Sequence, residues 1–238
     1  MGSIDRDAIA AALAGHGLIA RGGIDFGADD MPPPGPSGLP AKAVLLVGHA
    51  GSSIWPAFTA WRAAQPAGLS DPLDTWSRVV IGAVAARFGA RAVSPSDRPW
   101  LPFQAWAMRA EGLLPSPLGI LMHPVWGTWH AYRGALLFDA PLGLGPAEPP
   151  STRHPCDACP EKPCLKACPV GAHGEGGFAY EACLGHVRST AGRPCVIAGC
   201  LDRNACPVGS AYRYDADQQA FHMAAFAEAA PKVAPERD

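Results

Sequence analysis

Cysteine is absent from the first 155 residues of this 238-residue chain, so the N-terminal two-thirds can hold neither a disulfide framework nor a thiolate metal site. Long apolar runs are missing too: no stretch approaches the roughly 18 uninterrupted apolar residues that a membrane span needs. The opening Met-Gly-Ser-Ile-Asp-Arg has no apolar signal segment, and Arg6 stands where a myristoylation signal needs Ser or Thr. Neither sign of charge prevails. Lys and Arg number 19 against 21 Asp and Glu, and the basic residues are scattered, leaving no footprint for nucleic acid. The expectation is a soluble, cytoplasmic protein with neither a nucleic-acid nor a membrane partner. No internal repeat is visible beyond two sets of cysteines.

All eight cysteines lie between 156 and 206. Cys156, Cys159, Cys164 and Cys168 fall together, and Pro169 follows the last. Thiolates at this spacing can surround three corners of a cubic iron–sulfur cluster, while the fourth cysteine points to a second cluster. The usual bacterial run has two residues between its second and third cysteines, whereas four separate Cys159 from Cys164 here. Cys183, Cys195, Cys200 and Cys206 follow, the last again before a proline. Exchange of the two Cys-Pro cysteines gives Cys156, Cys159, Cys164 and Cys206 for one [4Fe–4S] cluster and Cys168, Cys183, Cys195 and Cys200 for the other. Structural zinc would use two separated Cys-x-x-Cys or Cys/His pairs, and only one such pair exists. Disulfide frameworks suit small secreted chains.

A stretch of about 150 residues can bury a core of its own, whereas the Pro- and Gly-rich cysteine region would depend on its metal to fold. Two domains are expected, 1–145 and 146–238, with the proline-rich 140–152 as linker. Ile4, Ile9 and Leu13 read as a short helix, Leu18 to Ile24 as a strand, and 31–40 as a surface loop. The run Ala43–Val47 reads as a buried strand, followed by a helix carrying Ile54, Trp55, Phe58 and Trp61. Asp71-Pro72 starts a long helix on which Leu73, Trp76, Val79, Val80, Val84 and Phe88 recur at helical spacing. Residues 92–93 suggest a strand and 101–110 a helix closed by Gly112. Two strands, 119–123 and 128–138, are expected to be joined by Pro124–Gly127. Asp215 or Asp217 should cap a last helix, and Pro231 begins a tail. Strands alternating with helices make the first domain an α/β (α+β) sandwich.

The string Gly119-Ile-Leu-Met-His123-Pro124-Val-Trp126-Gly127-Thr-Trp129-His-Ala-Tyr-Arg133-Gly134 resembles the motif of CblC-type (MMACHC-like) cobalamin-processing proteins. Asp71-Pro72-Leu73-Asp74 with its long helix, and Ser94-Pro95-Ser96-Asp97-Arg98-Pro99 leading into the next helix, match two further segments. The likeness spans roughly 44–138. The two-strand segment is also similar to epoxyqueuosine reductases and reductive dehalogenases, which carry two [4Fe–4S] clusters after a corrinoid-binding domain. The resemblance implies a nitroreductase-like fold that binds cobalamin, followed by a small bacterial-ferredoxin-like domain.

It also implies a function. Two clusters would pass single electrons, received from a donor protein, to a bound corrinoid, reducing it or removing its upper-axial ligand as an oxidoreductase. His123 would stand near the corrinoid, Trp126 and Trp129 would flank the macrocycle, and Arg133 would hold a corrinoid amide. Asp97 falls near the proton-donating aspartate of the epoxyqueuosine reductases. Val125 replaces the arginine of the CblC motif, which argues against a glutathione-dependent reaction. Their glycine-rich segment is reduced here to Glu111–Pro117, and no basic patch is present, which argues against epoxyqueuosine reduction. The competing expectations are a ferredoxin-type electron carrier and a flavin-dependent reductase without corrinoid.

Overall fold

The computed structural model describes residues 4–144, 154–174 and 176–229. Most of the expected linker (145–152) and the tail from Pro231 lie outside the described residues. In chain order the elements are α1 (Arg6–Ala14), β1 (Ile19–Asp25), β2 (Ala43–Ala50), α2 (Trp55–Ala63), α3 (Pro72–Arg87), β3 (Arg91–Val93) and α4 (Phe103–Glu111). The short β4 (Leu114–Pro115) and β5 (Leu121–Met122) precede β6 (His130–Phe138), β7 (His173–Gly174) and β8 (Gly177–Phe178). The chain closes with α5 (Tyr180–Arg188), α6 (Arg193–Ala198), α7 (Leu201–Ala205) and α8 (Ala216–Glu228).

These elements fall into two compact units. One contains residues 4–113 and 130–144, the other 114–129 and 154–229. The division differs from the expected boundary at 145/146 in one segment, 114–129, which belongs with the cysteine-bearing unit.

The first unit mixes helix and sheet around an antiparallel four-stranded sheet in the order β1-β2-β6-β3. Residues 43–49 of β2 are all buried, as a continuous apolar run requires when both faces of a strand are covered. The strand continues past Gly48, where a bulge shifts the register, so that Ala50 pairs with His130. Helix α3 packs on β3 and β6, and α4 packs on β1. Leu73, Trp76, Val80, Ile81 and Val84 form the buried stripe of α3. Val79 breaks the expected periodicity and is exposed, because it lies one position off that stripe. Asp71 starts α3 through its backbone: its residue is left-handed (φ 45°), its side chain makes no capping bond, and its carbonyl accepts the Thr75 N–H at 2.9 Å.

The expected strand at 119–123 does not pair along 128–138. Leu121 and Met122 instead pair with Pro115 and Leu114, and Ser116 donates its N–H to the Ile120 carbonyl at 2.8 Å. A single bridge, His123 to Gly127, is what remains of the expected hairpin. Pro124 has no N–H to extend a ladder there, and the turn closes at once.

Candidate metal centres

All eight cysteines are free thiols, and they sort into two groups of four. Cys156, Cys159, Cys164 and Cys206 line one cavity, and Cys168, Cys183, Cys195 and Cys200 line another. Both cavities lie within the second unit.

Local structure explains how the first group converges. Cys156 sits in a 3₁₀ turn (Pro155–Ala158) whose entry is held by the His154 ring, which accepts the Cys156 N–H at 3.2 Å. Lys162 takes a left-handed conformation (φ 39°) and folds its ammonium back onto the carbonyls of Cys156 (2.8 Å) and Cys159 (3.4 Å). That fold-back accommodates the four-residue spacing. The loop closes on itself, and Cys164 follows in the next 3₁₀ turn, Pro163–Leu165. Cys206 arrives from the end of α7. Cys164 and Cys206 are buried against Leu118 and Met122 of the β4–β5 segment, with Ile120 and Val208 packed alongside.

The second group is gathered from separate elements. Cys183 lies on α5, Cys195 on α6, and Cys200 between α6 and α7. Cys168 accepts the Ala172 N–H at 3.4 Å. His173, Phe178, Asp202, Met223 and Phe226 are among the other residues that line this cavity. Asp202 is fully buried, and its carboxylate accepts from His173 Nδ1 at 2.7 Å. The His173 ring stacks on Phe178 with centroids 4.9 Å apart.

The thiol electrostatics follow the same grouping. Burial pushes Cys183 up to about 11, with Cys200, Cys168 and Cys195 adding to the effect. Burial also raises Cys195 and Cys200, and in each case other cysteines of the second group contribute. Burial raises Cys156 and Cys164, reinforced by Cys206, while Lys162 opposes the rise at Cys156. Four thiolates this close repel one another, and a bound cation is what allows them to ionise together. The all-sulfur donor set in each cavity fits an iron–sulfur cluster. Among the described residues no group of three or more His, Cys, Asp or Glu side chains is arranged to hold a single metal ion.

The remaining candidate residues separate between the units. His123, Trp126 and Trp129 lie in the second unit, and Asp97 and Arg133 in the first. His123 Nδ1 accepts the N–H groups of Val125 and Trp126, both at 3.1 Å, and its ring stacks on Trp126 with centroids 3.8 Å apart and planes 11° apart. Trp129 is fully buried, with Arg203 over its ring at 4.4 Å and Tyr214 edge-on at 5.3 Å, so it serves as core. Asp97 and Arg133 line one polar cavity beside β3. There Asp97 accepts the Ser94 N–H at 2.7 Å and pairs with Arg78 at 3.2 Å, while Arg133 pairs with Asp74 at 3.6 Å. Lys162, His173 and Asp202 were not singled out by sequence. The signal in the sequence is position alone: Lys162 lies between Cys159 and Cys164, and Asp202 between Cys200 and Cys206.

No family model matches the chain, and no curated protein matches it. Among solved structures, the C. elegans B12-trafficking protein CblC, a human MMACHC homologue, is 12% identical with a TM-score of 0.49, over 93% of this chain and 92% of that one. Epoxyqueuosine reductase from Bacillus subtilis is 15% identical with a TM-score of 0.45, over 74% of this chain and 50% of that one. An epoxyqueuosine reductase with a tRNA-Tyr stem loop is 16% identical with a TM-score of 0.45, over 74% of this chain and 51% of that one. The chain thus spans about half the length of the epoxyqueuosine reductases to which it is similar.

Proposed function

We propose that the second unit holds two [4Fe–4S] clusters, one on Cys156, Cys159, Cys164 and Cys206 and one on Cys168, Cys183, Cys195 and Cys200, and that the chain passes single electrons to a bound corrinoid. The observation that carries the reading is the sorting of eight free thiols into two cavities of four cysteines each, with the two Cys-Pro cysteines, Cys168 and Cys206, exchanged between the sequence clusters. Iron–sulfur clusters supply one-electron chemistry. On this reading the second unit is a ferredoxin-like dicluster domain. The first is a nitroreductase-like domain that receives the corrinoid, and a cytoplasmic donor protein provides the electrons.

The corrinoid half of the reading rests on the motif from Gly119 to Gly134. Within it, His123 has a definite chemical character. Its Nδ1 accepts two backbone N–H groups, so the neutral ring carries its proton on Nε2. Trp126, stacked on that ring, keeps it in place. Arg133 and Asp97 offer a guanidinium and a carboxylate to a polar group in the first unit.

Anaerobic reconstitution followed by iron and sulfide determination and electron paramagnetic resonance tests the cluster reading: about eight iron and eight sulfide per chain are expected. Colourless, folded protein with stoichiometric zinc would overturn it. Addition of cob(II)alamin should then shift the visible bands of the corrinoid, and dithionite should reduce it faster than in a Cys156→Ala/Cys164→Ala variant. Uptake of flavin instead would favour a flavin reductase, and uptake of neither an electron carrier.

A further inference from the structure

Among the described residues, Asp202 is the one acidic side chain that lines the second cavity. It is 0% exposed, its Oδ2 accepts from His173 Nδ1, and its Oδ1 is buried without a hydrogen-bond partner among the described residues. A buried carboxylate with one oxygen unsatisfied is costly, and simple packing would be better served by an apolar residue. The helix that carries it, α7, packs against the 3₁₀ turn bearing Cys164.

We propose that Asp202, oriented by His173, lowers the reduction potential of the cluster in the second cavity below that of the first, so that electrons arriving at the second cavity pass on to the first. The inference rests on the two-cluster reading above. Each reduction adds one electron, and hence one negative charge, to a cluster without breaking a bond. A fixed negative charge nearby opposes that addition. Asp202 lines the second cavity and does not line the first, so the effect is unequal. The first cavity is in turn the one packed against Leu118 and Met122, in the segment that carries His123 and Trp126. Asp202 acts through the clusters and is a positioning residue for charge.

Potentiometry of the reconstituted full chain with dithionite as reductant, followed by electron paramagnetic resonance, tests this at one fixed pH of about 9, above the ordinary imidazole range. In Asp202→Asn the lower of the two midpoints should rise and the gap between them should narrow, with iron content unchanged. A purely structural role would leave both midpoints where they are. His173→Lys keeps the carboxylate but sets a positive charge against it, and the lower midpoint should rise again. This second variant decides the matter if Asp202→Asn fails to hold iron. Unchanged midpoints in iron-replete variants overturn the proposal and leave the two-cluster reading standing. Wild-type protein that holds no iron overturns both.

Discussion

Gly127 and Gly209 meet backbone to backbone: a Cβ on Gly127 would stand 2.0 Å from the Val208 carbonyl oxygen, and one on Gly209 would stand 2.2 Å from the Trp126 carbonyl carbon. Both glycines have positive φ, 57° and 70°. The contact fastens the turn after His123 to the strand of chain that leaves Cys206. Arg203 adds to it by donating to the Thr128 carbonyl.

Gly127→Ala should therefore destabilise the second unit by roughly 3 kcal/mol, combining left-handed strain with a backbone clash. Gly89→Ala is the control. It has the same handedness (φ 61°) but nothing within 4 Å, and should cost only about 1 kcal/mol. Thermal unfolding of the reconstituted protein compares the two, and equal losses would remove the close approach as the cause.

The crossed grouping makes Cys206 and Cys168 informative. Cys206→Ala should abolish the same resonance signal as Cys156→Ala, although its nearest cysteine in sequence is Cys200. Cys168→Ala should abolish the signal lost in Cys195→Ala, although it follows Cys164 closely. Each variant should retain about half the iron. Loss of the signal belonging to the sequence neighbour would refute the grouping.

Thiols raised by burial and by one another are protonated at neutral pH, so loading with iron and sulfide releases protons. Metal retention should accordingly fall as pH falls. Reconstitution at about pH 8.5 should give more iron per chain than at about pH 6.5, and the deficit should be recovered on raising the pH. A pH-independent yield contradicts this.

In the first unit the buried Arg21 guanidinium pairs with Glu111 and donates to the Tyr132 hydroxyl at 3.1 Å. Arg21→Met leaves the Glu111 carboxylate poorly solvated and should cost about 3–5 kcal/mol in urea unfolding. Arg21→Met combined with Glu111→Leu should recover much of the loss. A double variant no more stable than the single one would argue against a stranded charge.

Burial holds the Tyr132 phenol far above the ordinary tyrosine range, the nearby Arg21 opposing only in part. Because the folded value is the higher, this group favours folding below the unfolded value of about 10 and loses that contribution as pH rises beyond it. Among the four tyrosines of the chain, ultraviolet difference spectra should show Tyr132 ionising only with unfolding. Tyr132→Phe should make the first unit less sensitive to alkali.

Elements set by local chemistry were legible in the sequence. The apolar run of β2, the Asp-Pro start of α3 and the glycine after α4 (Gly112, φ 64°) act within a few residues of one another. The cysteine spacing likewise suggested the two groups of four that line the two cavities. The fate of 119–123 was not legible, because a short apolar strand carries no mark of its partner, and Leu121 and Met122 pair with Leu114 and Pro115 in place of β6. Trp129 looked like a ligand platform by its chemistry, but Arg203 and Tyr214, more than 70 residues away, enclose it. Asp202 and His173 were hidden for the same reason, since a carboxylate gains its meaning from what burial places around it. The sequence by itself determined the local elements and the all-thiolate donor chemistry, since both follow from residue type and short spacing. Tertiary structure alone decided which distant side chains share a cavity and which charges are taken out of water.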